Sequence, residues 1–284
     1  AFYVKIAFWS NTYERCGVTS NLAAISVASV MRFPYTIITM ENGLCINNLG
    51  RIFFGTPKTG ILRGAGTNYY DGGGMEGLIR RISGGDRKKN ILPFYRRDII
   101  PKHLYYIPQS RVISSEIFDY EFDHSMESLF RVVEEQVDFI FIDTACRNNL
   151  STKTILEEAD LIVVNLCQNP VYLEDFFLNY SSLIPKALFL IGNYTSHSGI
   201  SGRIISNVYN IPIANITAIP HNEFYHNALM TGNVVEFISS NYLCGKDHPN
   251  YGFIQAVKRA AYLIIKKAEQ FNLSAGRELS ACGR

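Results

Sequence analysis

Short apolar runs alternate along the chain with longer stretches of helical periodicity. Several of the runs are nearly continuous in isoleucine, valine, leucine and phenylalanine, as expected of parallel strands that are buried on both faces. Their alternation with helices predicts an α/β domain, with a mostly parallel sheet flanked by helices. The predicted strands span residues 4–9, 35–40, 103–107, 139–142, 161–166, 187–191 and 214–219.

Helical stretches follow the strands in turn. The last one carries apolar residues from Phe253 to Ala268 at the i, i+3, i+4 and i+7 spacing of an amphipathic helix. Such a stripe packs against a sheet or lies on a membrane surface, and we favour packing against the sheet. The predicted helices span residues 19–32, 75–83, 126–136, 152–158, 171–179, 199–209 and 250–270.

One part of the chain is irregular, at about residues 41–101. It contains the glycines Gly72 to Gly74 and the basic run Arg87 to Lys89. We interpret it as a surface insertion in a single domain over residues 1–284, because no shift in composition and no repeat marks a second domain. A nucleic-acid surface is the less favoured interpretation of the basic run.

Composition narrows the class of protein only a little. The chain has 284 residues, with 27 Lys and Arg against 25 Asp and Glu, so a net charge of +2 argues neither for nor against an anionic partner. The 6 cysteines show no C-x-x-C spacing, which favours reduced thiols over a disulfide framework or a zinc site. No run of about 18 apolar residues is present. We therefore expect a soluble cytoplasmic protein without a transmembrane segment.

The most informative stretch is WSNTYERCGVTSNLAA, from Trp9 to Ala24. A strand leads into a polar loop, and a glycine and a Thr-Ser pair then open a helix, which is where phosphate-binding loops lie. Against the pattern G-x-x-x-x-G-K-[ST], Gly17 and Thr19 match, whereas Thr12 and Val18 replace the first glycine and the lysine. Bound phosphate would therefore depend on backbone donors, Mg²⁺ or another cation. Arg15 is the only basic residue within the loop.

Three later segments carry further candidates. Asp143 ends a hydrophobic strand, Asn193 follows the strand KALFLIG, and Pro220 and Asn222 follow the strand IANITAI. Carboxyl ends of strands are where α/β folds place their ligand sites. Each residue also has a plain structural interpretation, since Asp and Asn are common capping and turn residues. Thr19 and Ser20 likewise suit a helix N-terminus without any ligand.

Taken in order, the four segments resemble the ParA/MinD family of P-loop ATPases, and within it the TadZ/CpaE branch of pilus-assembly proteins, whose loops can also lack the lysine. The family's Lys-Gly-Gly-x-Gly-Lys-Thr-Thr maps onto residues 13–20, so Tyr13 and Val18 stand where the family has its two lysines. The resemblance implies a three-layer, Rossmann-like P-loop NTPase fold. It also implies ATP as the ligand, with Mg²⁺ held by Thr19 and Asp143.

The resemblance extends to the remaining site residues. It implies that Glu41 stands where the family's catalytic Asp-x-Asp-Pro element lies, and a turn is the equally weighted alternative for Glu41-Asn42-Gly43. The residues implied to contact the nucleotide are Arg15, Cys16, Gly17, Val18, Thr19, Ser20, Asn193, Pro220 and Asn222.

Two functional hypotheses follow. The first is a homodimerisation switch that binds ATP and Mg²⁺ and is at most a weak ATPase. It would position a pilus, secretion or cell-positioning partner. It would act in the cytoplasm or peripherally at the inner membrane or a cell pole. The second is a pseudo-ATPase scaffold that binds no nucleotide and acts through protein contacts. A DNA-segregation ATPase is a weaker third, because it needs a basic surface. Nucleic acid is not the expected partner.

Overall fold

A computed structural model describes residues 3–13, 16–43, 48–55, 73–85, 91–109 and 114–281, with side chains described to residue 271. The strands within these residues form one sheet: β1 (Val4–Trp9), β2 (Ile37–Glu41), β3 (Arg97–Ile100), β4 (Leu104–Tyr106), β5 (Phe139–Asp143), β6 (Leu161–Leu166), β7 (Ala187–Tyr194) and β8 (Ile216–Pro220). Their spatial order is β3-β4-β2-β5-β1-β6-β7-β8. All neighbours pair in parallel except β3, which runs antiparallel to β4.

Helices cover both faces of this sheet. They are α1 (Val18–Arg32), α2 (Leu49–Phe54), α3 (Gly74–Ser83), α4 (Ser115–Glu134), α5 (Leu150–Glu158), α6 (Pro170–Asn179), α7 (Gly202–Tyr209), α8 (Glu223–Thr231), α9 (Val234–Asn241) and α10 (Tyr251–Ala281). Short 3₁₀ turns occupy Leu92–Phe94, Ser181–Lys186 and Ile213–Asn215. No helix in the described part of the chain combines the length and apolar character needed to cross a bilayer.

Alternation along the strands divides the core into two layers. In β1, Ile6 and Phe8 join the cluster under α1 and α10, whereas Ala7 and Trp9 join the cluster under α3 to α6. Successive side chains of a strand point to opposite faces, so a run that is apolar throughout needs cover on both sides. The predicted three-layer α/β fold with a mostly parallel sheet is therefore confirmed.

The apolar stripe of the last helix packs as expected. Its residues from Phe253 to Ala268 are buried in the cluster shared with α1 and the sheet. This arrangement confirms the packing interpretation and leaves no apolar stripe of those residues for a membrane surface.

One predicted helix start was wrong, and two elements were missed. Helix α4 begins at Ser115 rather than Met126, because Phe118 and Phe122 extend its buried stripe and the Ser114 hydroxyl accepts from the Ile117 N–H at 3.4 Å. Within residues 41–101 the structure contains α2 and β3 as well as the predicted α3, and neither α2 nor β3 was predicted. Its basic run at Arg87 to Lys89 lies outside the described residues.

The centre of the sheet fixes where a ligand is expected to bind. Strand β1 lies between β5 and β6. From β1 the chain passes to β2, on the β5 side of the sheet, and it later adds β6, β7 and β8 on the other side. Ligands of open α/β sheets bind at the carboxyl ends of the strands where the strand order reverses in this way. The loops after β1 and β5 meet at this edge.

Candidate functional site

The loop from β1 to α1 ends in a glycine that the backbone requires. Gly17 has φ 77° and ψ 27°, a left-handed conformation that glycine adopts without strain, and it precedes the first turn of α1 without a side-chain cap. Its carbonyl accepts from the Asn21 N–H at 2.7 Å and from the Ser20 hydroxyl at 3.0 Å. The first turn of α1 thus presents backbone N–H groups at the carboxyl end of the central strand β1, as an anion site needs.

Buried side chains clamp this loop to the sheet. The Asn21 amide donates to Asn165 of β6 at 2.9 Å, and Asn165 in turn donates to the Val163 carbonyl at 3.1 Å. On β7, a Cβ added to Gly192 would lie 1.9 Å from the carbonyl oxygen of Cys16, so this close approach requires glycine. The position of the loop is therefore set by contacts with two different strands.

The substituted loop positions take structural roles. Val18, where the P-loop pattern has lysine, is half-buried and packs against the core beneath α1. Thr12, where the pattern has its first glycine, is buried. The Tyr13 side chain is 74% exposed, and its hydroxyl contacts the side chains of Cys146 and Arg147 in the loop after β5. Arg15 lies outside the described residues.

The predicted metal pair is brought together. Asp143 ends β5 and Thr19 lies in the first turn of α1, with its hydroxyl close enough to lower the pKa of the Asp143 carboxyl group. Burial raises the pKa of Asp143 to about 6, and the Thr19 hydroxyl opposes that rise. A hydroxyl and a carboxylate side by side are oxygen ligands of the kind Mg²⁺ takes beside a nucleotide. Among the described residues, no group of three or more acidic, histidine or cysteine side chains forms a further metal site.

Glu41 lies next to Asp143, since the two residues pair in register on β2 and β5. Its carboxylate is 3% exposed and accepts from the Tyr106 hydroxyl at 2.5 Å and from the Leu49 N–H at 3.3 Å. Burial and the charge of Asp143 raise the pKa of Glu41 to about 8, against the effect of those two hydrogen bonds. At neutral pH it is a protonated, fully engaged carboxyl group, which can position a neighbour but not accept a proton readily.

Three residues predicted to lie beside the base converge, although they are far apart in sequence, and Ser20 of the loop joins them. Ser20, Asn193, Pro220 and Asn222 line one cleft of about 30 Å³ between α1 and α8. Asn193 has φ 48° and is exposed at the end of β7. Asn222 caps α8 by accepting from the Tyr225 N–H at 2.7 Å, and it donates to Asn250 at 3.1 Å. The cleft is thus narrow, and Asn222 is held by partners within the chain.

Several site residues escaped the sequence analysis. Asn42 accepts from the Ala145 N–H at 2.7 Å and donates to Ser151 at 2.8 Å, which braces the loop that follows Asp143. Asp119 of α4 accepts from the N–H groups of Leu150 and Ser151 at 3.0 and 3.1 Å and so caps α5 from a different helix. In the sequence, Asn42 was marked only as part of a turn, and Asp119 gave no signal beyond a polar side chain.

Known structures share this architecture. No protein-family model matches the chain, and no curated protein matches it significantly in sequence. A ParA family ATPase from Chlorobium tepidum superposes with a TM-score of 0.69 at 14% identity, over 91% of this chain and 98% of that chain. The septum site-determining protein MinD from Pyrococcus horikoshii, complexed with Mg-ADP, gives 0.67 at 16% identity over 95% and 99%. A plasmid partition protein from Borrelia burgdorferi bound to AMPPNP gives 0.58 at 13% identity over 93% and 99%.

These likenesses span nearly the whole of each chain. They define the class of the fold, which is that of the ParA and MinD P-loop ATPases. At identities of 13 to 16% they establish the fold alone. Function has to be argued from the site.

Proposed function

We propose that this chain is a ParA/MinD-like protein that binds ATP with Mg²⁺ and acts as a slow or non-hydrolysing dimerisation switch for a partner assembly. The observation that carries the proposal is the placement of the Thr19 hydroxyl beside the Asp143 carboxylate at the switch point of the sheet. This pair would hold Mg²⁺, and the first turn of α1 would face the phosphates. The magnesium ion would neutralise part of the phosphate charge.

Slow turnover follows from the missing cations. Phosphoryl transfer depends on positive groups placed around the transferred phosphate, and losing one such donor costs about 10²–10³-fold in rate. Val18 packs into the core where the pattern has its lysine, and Tyr13 occupies the position of the second lysine. Glu41, which would orient the attacking water, is protonated at neutral pH because of its raised pKa.

The identities of the nucleotide and of the partner are proposed from similarity to other proteins. The MinD structure holds Mg-ADP and the Borrelia structure holds AMPPNP, which supports ATP and Mg²⁺ as the ligands here. The remaining nucleotide contacts are assigned to Arg15 and to the residues from Cys16 to Ser20, with Asn193, Pro220 and Asn222 beside the base. By its resemblance to the TadZ/CpaE branch, the dimer would position a pilus or secretion component, from the cytoplasm or peripherally at the inner membrane or a cell pole.

A pseudo-ATPase scaffold is the second candidate. What favours it is the cleft of about 30 Å³ at the expected base position, together with the internal hydrogen bonds that occupy the Asn222 amide. A nucleobase would have to widen that cleft. In this alternative Thr19, Asp143 and Asn222 act as packing and capping groups only.

Sedimentation velocity distinguishes the two functions. The protein is run without nucleotide, with ADP and Mg²⁺, and with ATP and Mg²⁺, beside Asp143→Ala and the control Asp247→Ala at an exposed site. The switch predicts a dimer only with ATP and Mg²⁺, and that dimer is lost in Asp143→Ala and kept in Asp247→Ala. Identical sedimentation of all three proteins under all three conditions contradicts the switch and leaves the scaffold.

A further inference from the structure

A second cavity opens on the opposite face of the sheet from the cleft lined by Ser20, Asn193, Pro220 and Asn222. It measures about 280 Å³ and lies between α5 and the 3₁₀ turn Ser181–Lys186, with Trp9 at its inner end. It shares no lining residue with the cleft beside Ser20 and Asn193. Its volume is close to the lower end of small-molecule pockets, about 300–1,000 Å³.

The inner end of this cavity carries a polar group without a partner. Trp9 is 2% exposed, and its indole Nε1–H makes no hydrogen bond within the described residues. An indole nitrogen can only donate, and leaving a buried donor unsatisfied is unfavourable. The indole ring lines the cavity, but its nitrogen has almost no accessible surface, so a ligand in the cavity would meet the ring.

The walls combine positive charge with apolar surface. Arg147 and Lys153 line the cavity against a single carboxylate, Glu157, so its charge is positive. Lys153 makes no ion pair within the described residues, whereas Arg147 contacts the Tyr13 hydroxyl. The apolar surface comes from Leu156, Leu183 and Tyr180, whose ring centroid lies 5.0 Å from that of Trp9.

We propose that this cavity binds a small organic anion, a carboxylate or phosphate carried on a compact apolar body. Lys153 and Arg147 would hold the anionic group, and Leu156, Leu183, Tyr180 and the Trp9 ring would cover the apolar part. The site is separate from the proposed nucleotide site, although Trp9 directly precedes the β1–α1 loop and Arg147 contacts it through Tyr13.

Trp9 is the only tryptophan of the chain and therefore a built-in reporter. Phenylacetate is titrated as the anionic probe and phenylacetamide as its uncharged analogue, followed by the emission of Trp9 and by its single indole N–H resonance. We expect saturable binding of phenylacetate and about tenfold weaker binding of the amide, equivalent to 1.4 kcal/mol. The N–H resonance should move because the ligand would pack against the indole ring.

Charge variants locate the binding. Lys153→Glu should weaken phenylacetate about tenfold, Lys153→Arg should retain it, and Lys246→Glu, at an exposed site away from the cavity, should leave it unchanged. The proposal is overturned if neither signal saturates, if acid and amide bind equally, or if Lys153→Glu binds like the unmodified protein. None of these outcomes depends on nucleotide binding, which is measured separately.

Discussion

Replacing Glu41 by glutamine should make the stability of the protein less dependent on pH. The folded protein holds the Glu41 proton more tightly than the unfolded chain, because burial and Asp143 raise the pKa of Glu41 from 4.5 to about 8. Folding is therefore favoured by the protonated form. Its contribution is fully present below the unfolded pKa and is lost as pH rises through the folded pKa. Glutamine remains neutral throughout, and its amide oxygen can still accept from the Leu49 N–H or the Tyr106 hydroxyl.

The magnitude follows from the linkage relation. Between about pH 6.5 and about pH 9 a carboxyl group with those two pKa values loses about 2 kcal/mol of unfolding free energy. Asp143 contributes little to this interval, because its pKa is about 6. Urea unfolding at both pH values should show the loss in the unmodified protein and in Glu236→Gln, an exposed control on α9, and should not show it in Glu41→Gln. Equal losses in all three proteins would refute the account of Glu41.

Three further predictions concern the loop and the metal pair. Mg²⁺-dependent nucleotide binding should weaken as pH falls through about 6. The pKa of Asp143 is raised to about 6, and its protonated form is a poor ligand for Mg²⁺. Titrations with a fluorescent ATP analogue across that pH range check this. Asn21→Ala should destabilise the fold by about 1–3 kcal/mol in urea unfolding, since it leaves the buried Asn165 amide oxygen without its donor. Adding Asn165→Ala should cost less than the sum of the two single changes. Gly192→Ala should impair nucleotide binding, because the added Cβ would displace the Cys16 carbonyl. Gly199→Ala has open space around it and should not impair binding. Equal binding by both variants would contradict a close approach of Gly192 to Cys16.

The sequence predicts most strands because burial on both faces leaves an unmistakable apolar run. Strand β3 escaped for the opposite reason, since it is an edge strand whose Arg97 and Asp98 are exposed. The start of α4 escaped because acidic residues separate Phe118 and Phe122. Both errors come from reading the density of apolar residues rather than their spacing.

The part of the candidate site that local sequence patterns mark was predictable. The glycine and hydroxyl of the β1–α1 loop and the aspartate at the end of β5 follow from strand and loop patterns, and Thr19 and Asp143 do meet. The Asn21–Asn165 clamp joins residues 144 positions apart, and neither residue has a local pattern that marks it. Likewise, the burial that raises the pKa of Glu41 depends on Tyr106 and Leu49 and becomes visible only in the folded chain.

The most direct test of a nucleotide switch is equilibrium binding of a fluorescent ATP analogue, with and without Mg²⁺. It is measured on the unmodified protein, on Asp143→Ala and on the exposed control Asp247→Ala. Our account predicts saturable, Mg²⁺-dependent binding that Asp143→Ala weakens about tenfold or more and that the control retains. Absence of binding at about millimolar nucleotide, a concentration at which even a weak site is occupied, would contradict it.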